Sequence, residues 1–161
     1  DPLTQLHNRM LLEDRLAQAC SRLRRDGDSV TVIFVDLDRF KEVNDSYGHR
    51  AGDGVLLEVA RRLRRVTRDV DTVARLGGDE FVIVCEALPQ GEADLITERI
   101  DEALVVPMIV EGRQVTVGAS VGIAVSTDPS VDAGDLLFRA DQEMYRAKMS
   151  GQHRGEPGLG G

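Results

Sequence analysis

The sequence predicts an α/β fold, a mixed central β-sheet flanked by helices, on three observations. Strand-like and helix-like segments alternate along the chain, a tight Gly77-Gly78 hairpin sits in its middle, and no Gly-x-Gly-x-x-Gly fingerprint marks a Rossmann unit. With 161 residues, 42% hydrophobic and 30% charged, the chain is long enough for one domain with its own core.

Apolar residues at Leu12, Leu16, Ala19 and Leu23 follow the helical period from Asn8 to Arg25, and Asp26-Gly27-Asp28 ends that pattern. The β-branched run Val30 to Val35 has apolar residues on both faces, the pattern of a central strand covered on each side. A second helix carries Val55 or Leu56, Val59, Leu63 and Val66 on one face, and Arg61, Arg62, Arg64 and Arg65 are expected on a solvated one. A helix from about Glu92 to Leu104 follows the hairpin. Strands over 107–110 and 114–125 are joined at Glu111-Gly112, and a last helix over 132–149 turns Leu136, Ala140, Met144 and Ala147 inward. The Gly- and Pro-rich residues 155–161 read as a flexible tail or linker after a domain over 1–154.

The formal net charge of −8 argues against a nucleic-acid groove. No apolar run reaches the ~20 residues of a membrane helix, so no direct membrane contact is expected of this domain. The expected location is the cytoplasm, including as the cytoplasmic part of a larger, membrane-attached protein. Cys20 and Cys85 lack metal-ligand spacing and read as reduced core residues.

The chemistry concentrates where the strands end. Asp36 and Asp38 follow the central strand, and Asp79 and Glu80 sit at the tip of a hairpin whose glycines supply the backbone conformations a tight turn requires. Carboxylates gathered at two strand ends suit divalent ions bound to phosphates. Asp38, on the face of Asp36, is expected to cap the following turn. The step into Phe40-Lys41-Glu42 could present backbone N–H groups to phosphates.

Several blocks, in order, resemble one family: Asp1-Pro2-Leu3-Thr4 with Asn8-Arg9, Asp36-Leu37-Asp38-Arg39-Phe40-Lys41, Asn44-Asp45, Gly48-His49, Gly52-Asp53, Gly77-Gly78-Asp79-Glu80-Phe81, Ala140-Asp141 and Tyr145-Arg146-Ala147-Lys148. The chain thus resembles the GGDEF family, the diguanylate cyclases that condense two GTP into cyclic di-GMP and pyrophosphate. The resemblance implies a palm-like, ferredoxin-related nucleotidyl cyclase fold and a homodimer holding one GTP per subunit. It implies two Mg²⁺ ions per site, or Mn²⁺ in their place, held by Asp36, the Leu37 carbonyl, Asp79 and Glu80, with Asp79 as candidate base. It further implies phosphate contacts at Phe40, Lys41 and Lys148, guanine readout by Asn44 and Asp53, and a product-inhibition site at Arg68 and Asp71 with Arg99, where Asp71 accepts from a guanine edge.

Two departures stand out: Gln5 where Gly is usual, and Gly151-Gln152-His153-Arg154 where Gly-Arg-Asn is common, which removes a cation near the triphosphate. The rival reading is a catalytically weak or inactive module that senses GTP or cyclic di-GMP and regulates an attached domain such as an EAL phosphodiesterase. A cyclase or polymerase for other nucleotides is disfavoured by Asn44 and Asp53.

Overall fold

The computed structural model describes residues 1–151. Eleven elements follow in order: α1 (Arg9–Asp26), β1 (Val30–Asp38), α2 (Phe40–Tyr47), α3 (His49–Val66), β2 (Thr72–Gly77), β3 (Glu80–Glu86), α4 (Glu92–Val105), β4 (Met108–Val110), β5 (Arg113–Val115), β6 (Gly118–Ser126) and α5 (Ala133–Gly151). The Asn8 side chain caps α1 by accepting from the Leu11 N–H, and Gly27 closes that helix at φ 75°, which a residue without Cβ adopts readily.

The main sheet has the order β2-β3-β1-β6. All its strand pairs are antiparallel. The parallel component of the expected mixed sheet is, among the described residues, one bridge between His7 and Ala74 at the β2 edge. Residues of β1 alternate between two cores. Ile33, Val35 and Leu37 pack with α2, α3 and α4, and Val30, Val32 and Phe34 pack with α1 and α5. Cys20 and Cys85 are both buried free thiols.

The strand expected over 114–125 is two strands, because residues 113–115 pair with β4 in a small hairpin and the chain joins the main sheet only from Gly118. The solvated arginine face also needs correction. Arg62 reaches the carbonyls of Ala103, Val106 and Pro107 at 2.8, 2.5 and 3.2 Å while paired with Glu58, so it satisfies the C-terminal end of α4 and fastens it to α3. Arg61 shares Glu58, and the two arginines hold that carboxyl down to about 2.

Gln5 adopts φ 60°, the left-handed region that glycine occupies without strain. Among the described residues its side chain bonds only the exposed Pro2 carbonyl. Gln5→Gly should therefore stabilise the domain by ~0.5 kcal/mol, a rise of about 1–2 °C in thermal unfolding. A lower Tm would mean that the Gln5–Pro2 bond outweighs the backbone strain.

Candidate active site

Two residues beyond Phe34, β1 turns Asp36 to the α1/α5 face of the sheet. Asp36 stands directly opposite Glu80 on β3 and Ser120 on β6. Like charges facing each other across a strand pair are unfavourable unless a cation offsets them. The hairpin tip is fixed from both sides. The Leu37 N–H donates to the Asp79 carbonyl at 3.2 Å, and Arg75 donates to the Gly78 carbonyl at 2.8 and 3.0 Å while reaching Asp1. Gly77 and Gly78, at φ 136° and 52°, make the turn possible.

Asp36 is buried and uses one oxygen, Oδ2, to accept from Lys148 Nζ at 2.6 Å. Its other oxygen, Oδ1, is buried with no partner. An orphaned carboxylate oxygen in the interior is costly unless a ligand completes it. Asp79 is pushed above the usual carboxylate range by burial and then by Asp36, and Glu80 by burial, Asp36, Asp141 and Asp79, with Arg9 opposing. Asp141 and Arg9 enter the site without having been assigned a role from sequence. The available signal was spacing, since Asp141 lies seven residues before Lys148 and therefore on the same face of α5.

The orphaned Oδ1 and the crowded acids fit a hard divalent cation such as Mg²⁺ or Mn²⁺. Among the described residues no three Asp, Glu, His or Cys side chains converge as a ready-made metal cage. Substrate phosphates and the Leu37 carbonyl would have to complete the shell, as Mg²⁺ sites commonly require.

The expected nucleotide residues gather on the other side of the β1 end. Arg39 at φ 57° turns the chain into α2, which buries Phe40 and leaves Lys41 exposed in its first turn. Gly52, Asp53 and Gly54 form part of helix α3. A Cβ at Gly52 would collide with the Asn44 carboxamide and meet the Phe40 ring at 3.3 Å, so the missing side chain lets Asn44 lie against α3, on which Asp53 is exposed. Asp38 caps nothing: it accepts from Ser120 Oγ at 2.7 Å, and the start of α2 has no side-chain cap.

Arg68 and Asp71 form a tight pair away from this site. Asp71 has no exposed side-chain surface and accepts from the Arg68 backbone N–H and guanidinium, both at 2.8 Å, while Arg68 also reaches the Glu86 carbonyl at 2.9 Å. The buried Cys85 thiol, pushed up to about 12 by burial and by Asp71, lies behind it. Asp71 is thus turned onto Arg68 and orients it. A cavity of 240 Å³ lined by His7, Arg64 and Arg68 opens beside the pair. Arg99 is exposed on α4. Gln152, Arg154 and the expected tail over 155–161 lie outside the described residues.

No described helix is long and apolar enough to cross a membrane. Residues 1–154 match the family described as diguanylate cyclase, GGDEF domain. The chain is 44% identical over 153 residues to the bifunctional diguanylate cyclase/cyclic di-GMP phosphodiesterase MucR of Pseudomonas aeruginosa, covering 95% of this chain and 22% of that protein. It is 40% identical over 156 residues to diguanylate cyclase DgcP of the same organism, covering 96% of this chain and 23% of that protein. The crystal structure of a sensory box/GGDEF family protein from Caulobacter crescentus superposes with a TM-score of 0.88 at 42% identity, covering 94% of this chain and 98% of that one. With the Gly77-Gly78-Asp79-Glu80-Phe81 hairpin set against Asp36 in the arrangement described above, the chain belongs to the GGDEF family of diguanylate cyclase domains.

Proposed function

We propose that the domain is an active diguanylate cyclase that works as a Mg²⁺-dependent homodimer and is restrained by its own product. The observation that carries this reading is the unpartnered, buried Asp36 Oδ1 beside Asp79 and Glu80. Divalent ions bound by Asp36, Asp79, Glu80 and the Leu37 carbonyl would neutralise the triphosphate and the charge developing on it.

The chain's own residues do the rest. Asp79, at the hairpin tip beside Asp36, takes the proton from the GTP 3′-hydroxyl. That oxygen bonds to the α-phosphorus of the GTP on the facing subunit as the bond to pyrophosphate breaks, and the reciprocal attack closes the ring. Each subunit supplies one GTP, so turnover requires the dimer. The Phe40-Lys41 start of α2 and Lys148 bind phosphate, while Asn44 and Asp53 read guanine. The test is incubation of the purified protein with GTP and Mg²⁺ and identification of the product by mass spectrometry. Binding of GTP without cyclic di-GMP would instead assign a nucleotide-sensing module.

Asp53 can accept from the N1–H and N2 amino donors of guanine, which adenine lacks. Asp53→Ala should lower the GTP:ATP binding preference by at least about tenfold, the worth of a hydrogen bond to a charged group. Calorimetric titration with both nucleotides checks this, and an unchanged ratio returns Asp53 to the helix surface.

Feedback rests on Arg68, whose guanidinium is held out by Asp71 and remains 42% exposed. Pre-oriented in this way, it suits bidentate pairing with a phosphodiester. Arg68→Ala should raise the inhibition constant for added cyclic di-GMP by about tenfold or more, and Arg99→Ala should give a smaller rise. If the wild-type protein ignores added cyclic di-GMP, the pair is structural only.

A further inference from the structure

We propose that Lys148 is a built-in counter-ion that keeps the unliganded Asp36 site closed to divalent metal, so that the ion enters with the nucleotide triphosphate rather than before it. This rests on the reading of Asp36 as a metal ligand.

Three observations lead there. Asp36 Oδ2 is engaged by Lys148 Nζ at 2.6 Å, so the carboxylate a metal would need is already neutralised. The ammonium is a compact point charge, the nearest thing a side chain offers to a bound cation. Next, the two partners differ in freedom. The Asp36 side chain is 10% exposed at the end of a strand paired on both sides, whereas that of Lys148 is 32% exposed in the last turn of α5. Lys148 can therefore swing outward while Asp36 stays. Finally, α5 itself cannot retreat easily, because Gly122 lets its backbone at Ala140 and Met144 lie directly against β6. Movement is confined to the lysine side chain.

A metal ion arriving alone must expel the ammonium into water and forfeit that pair. An ion arriving on a triphosphate brings anionic oxygens to which the displaced ammonium can turn. The two binding events are then coupled, each strengthening the other by the same factor. In Lys148→Met the coupling shrinks, because the site is open from the start.

The experiment uses Mn²⁺ as the probe, without nucleotide, followed by calorimetry and by the electron paramagnetic resonance of free Mn²⁺. Lys148→Met and Lys148→Gln should each bind Mn²⁺ at least about tenfold more tightly than wild type, the effect of removing one partly screened charge at contact distance. Both should also gain thermal stability on adding Mn²⁺. Lys148→Arg, which keeps the charge, and Lys41→Met, which removes a charge from exposed α2, should bind as wild type does. A non-hydrolysable GTP analogue should strengthen Mn²⁺ binding more in wild type than in Lys148→Met. Mn²⁺ affinities within twofold across wild type, Lys148→Met and Lys148→Gln, including no detectable binding by any, overturn the proposal. Tightened Mn²⁺ binding in a protein whose wild type makes no cyclic di-GMP would keep the counter-ion and remove the cyclase reading.

Discussion

Asp79→Ala should reduce cyclic di-GMP synthesis by at least about 10²-fold, the usual contribution of a positioned base, and should at the same time make the metal-free protein more stable. The two effects have one cause. Asp79 is pushed above the normal carboxylate range by burial and then by Asp36, so at neutral pH its ionised form is a burden that the fold carries. A group with a raised folded-state pKa of this kind costs nothing while both states are protonated. Its penalty grows as pH rises from the ordinary aspartate value of 3.8 through the raised one, and is fully present above both. Alanine removes it. The gain should appear as a Tm above that of wild type at pH 7, and should shrink as pH falls toward 4. The tip should still fold, since the bond that ties it to Leu37 comes from the backbone carbonyl of residue 79. Thermal unfolding at pH 7 and pH 4.5, beside a product assay, checks both halves. Near wild-type synthesis would sink the role of Asp79 as base, and an unchanged Tm would mean that Asp36 and Asp79 do not repel as described.

The parts of this site that were legible from sequence are those written in local patterns. The two-sided apolar run of β1 announced a central strand, and strand parity alone carried Asp36 onto the face of Val32 and Phe34. Gly77-Gly78 announced the hairpin. What escaped depends on partners distant in the chain. Glycine disfavours helices by about 1 kcal/mol, yet α3 runs through Gly52 and Gly54. Packing overrides the propensity there: Asn44 and Phe40 crowd Gly52, and Val110 crowds Gly54, where a larger residue would not fit. Arg62 read as solvated because its carbonyl partners, at and just beyond the end of α4, lie 41 to 45 residues away. The burial of the Asp71 side chain likewise depends on β3 and Cys85, which an Arg-x-x-Asp spacing cannot reveal.

Gly122→Ala should be the most damaging single methyl in the domain, because it acts on the helix that carries Lys148 into the site. β6 pairs Gly122 with Phe34 of β1, and on its other side the backbone of α5 crosses it closely. A Cβ at this position would overlap the Met144 nitrogen, the Ala140 carbonyl oxygen and the Glu143 carbonyl carbon. All three are backbone atoms, so no rotamer change relieves the overlap and the helix must lift from the sheet. Ala140 and Met144 are themselves buried against β1 and β6, and lifting them opens the core formed with Leu12, Leu16 and Val84. A cost of about 3 kcal/mol is expected, at the upper end of overpacking penalties. Lys148 lies one helical turn beyond Met144, so the same displacement should draw its ammonium away from Asp36 and lower turnover at temperatures where the protein remains folded. Gly118→Ala is the control: at the start of the same strand a Cβ would meet the Asp38 carboxylate at 3.2 Å, a side chain able to yield, and should cost little. If Gly122→Ala unfolds within 2 °C of wild type and makes cyclic di-GMP at the same rate, α5 is not seated by this contact, and the position of Lys148 must be set from elsewhere on the helix.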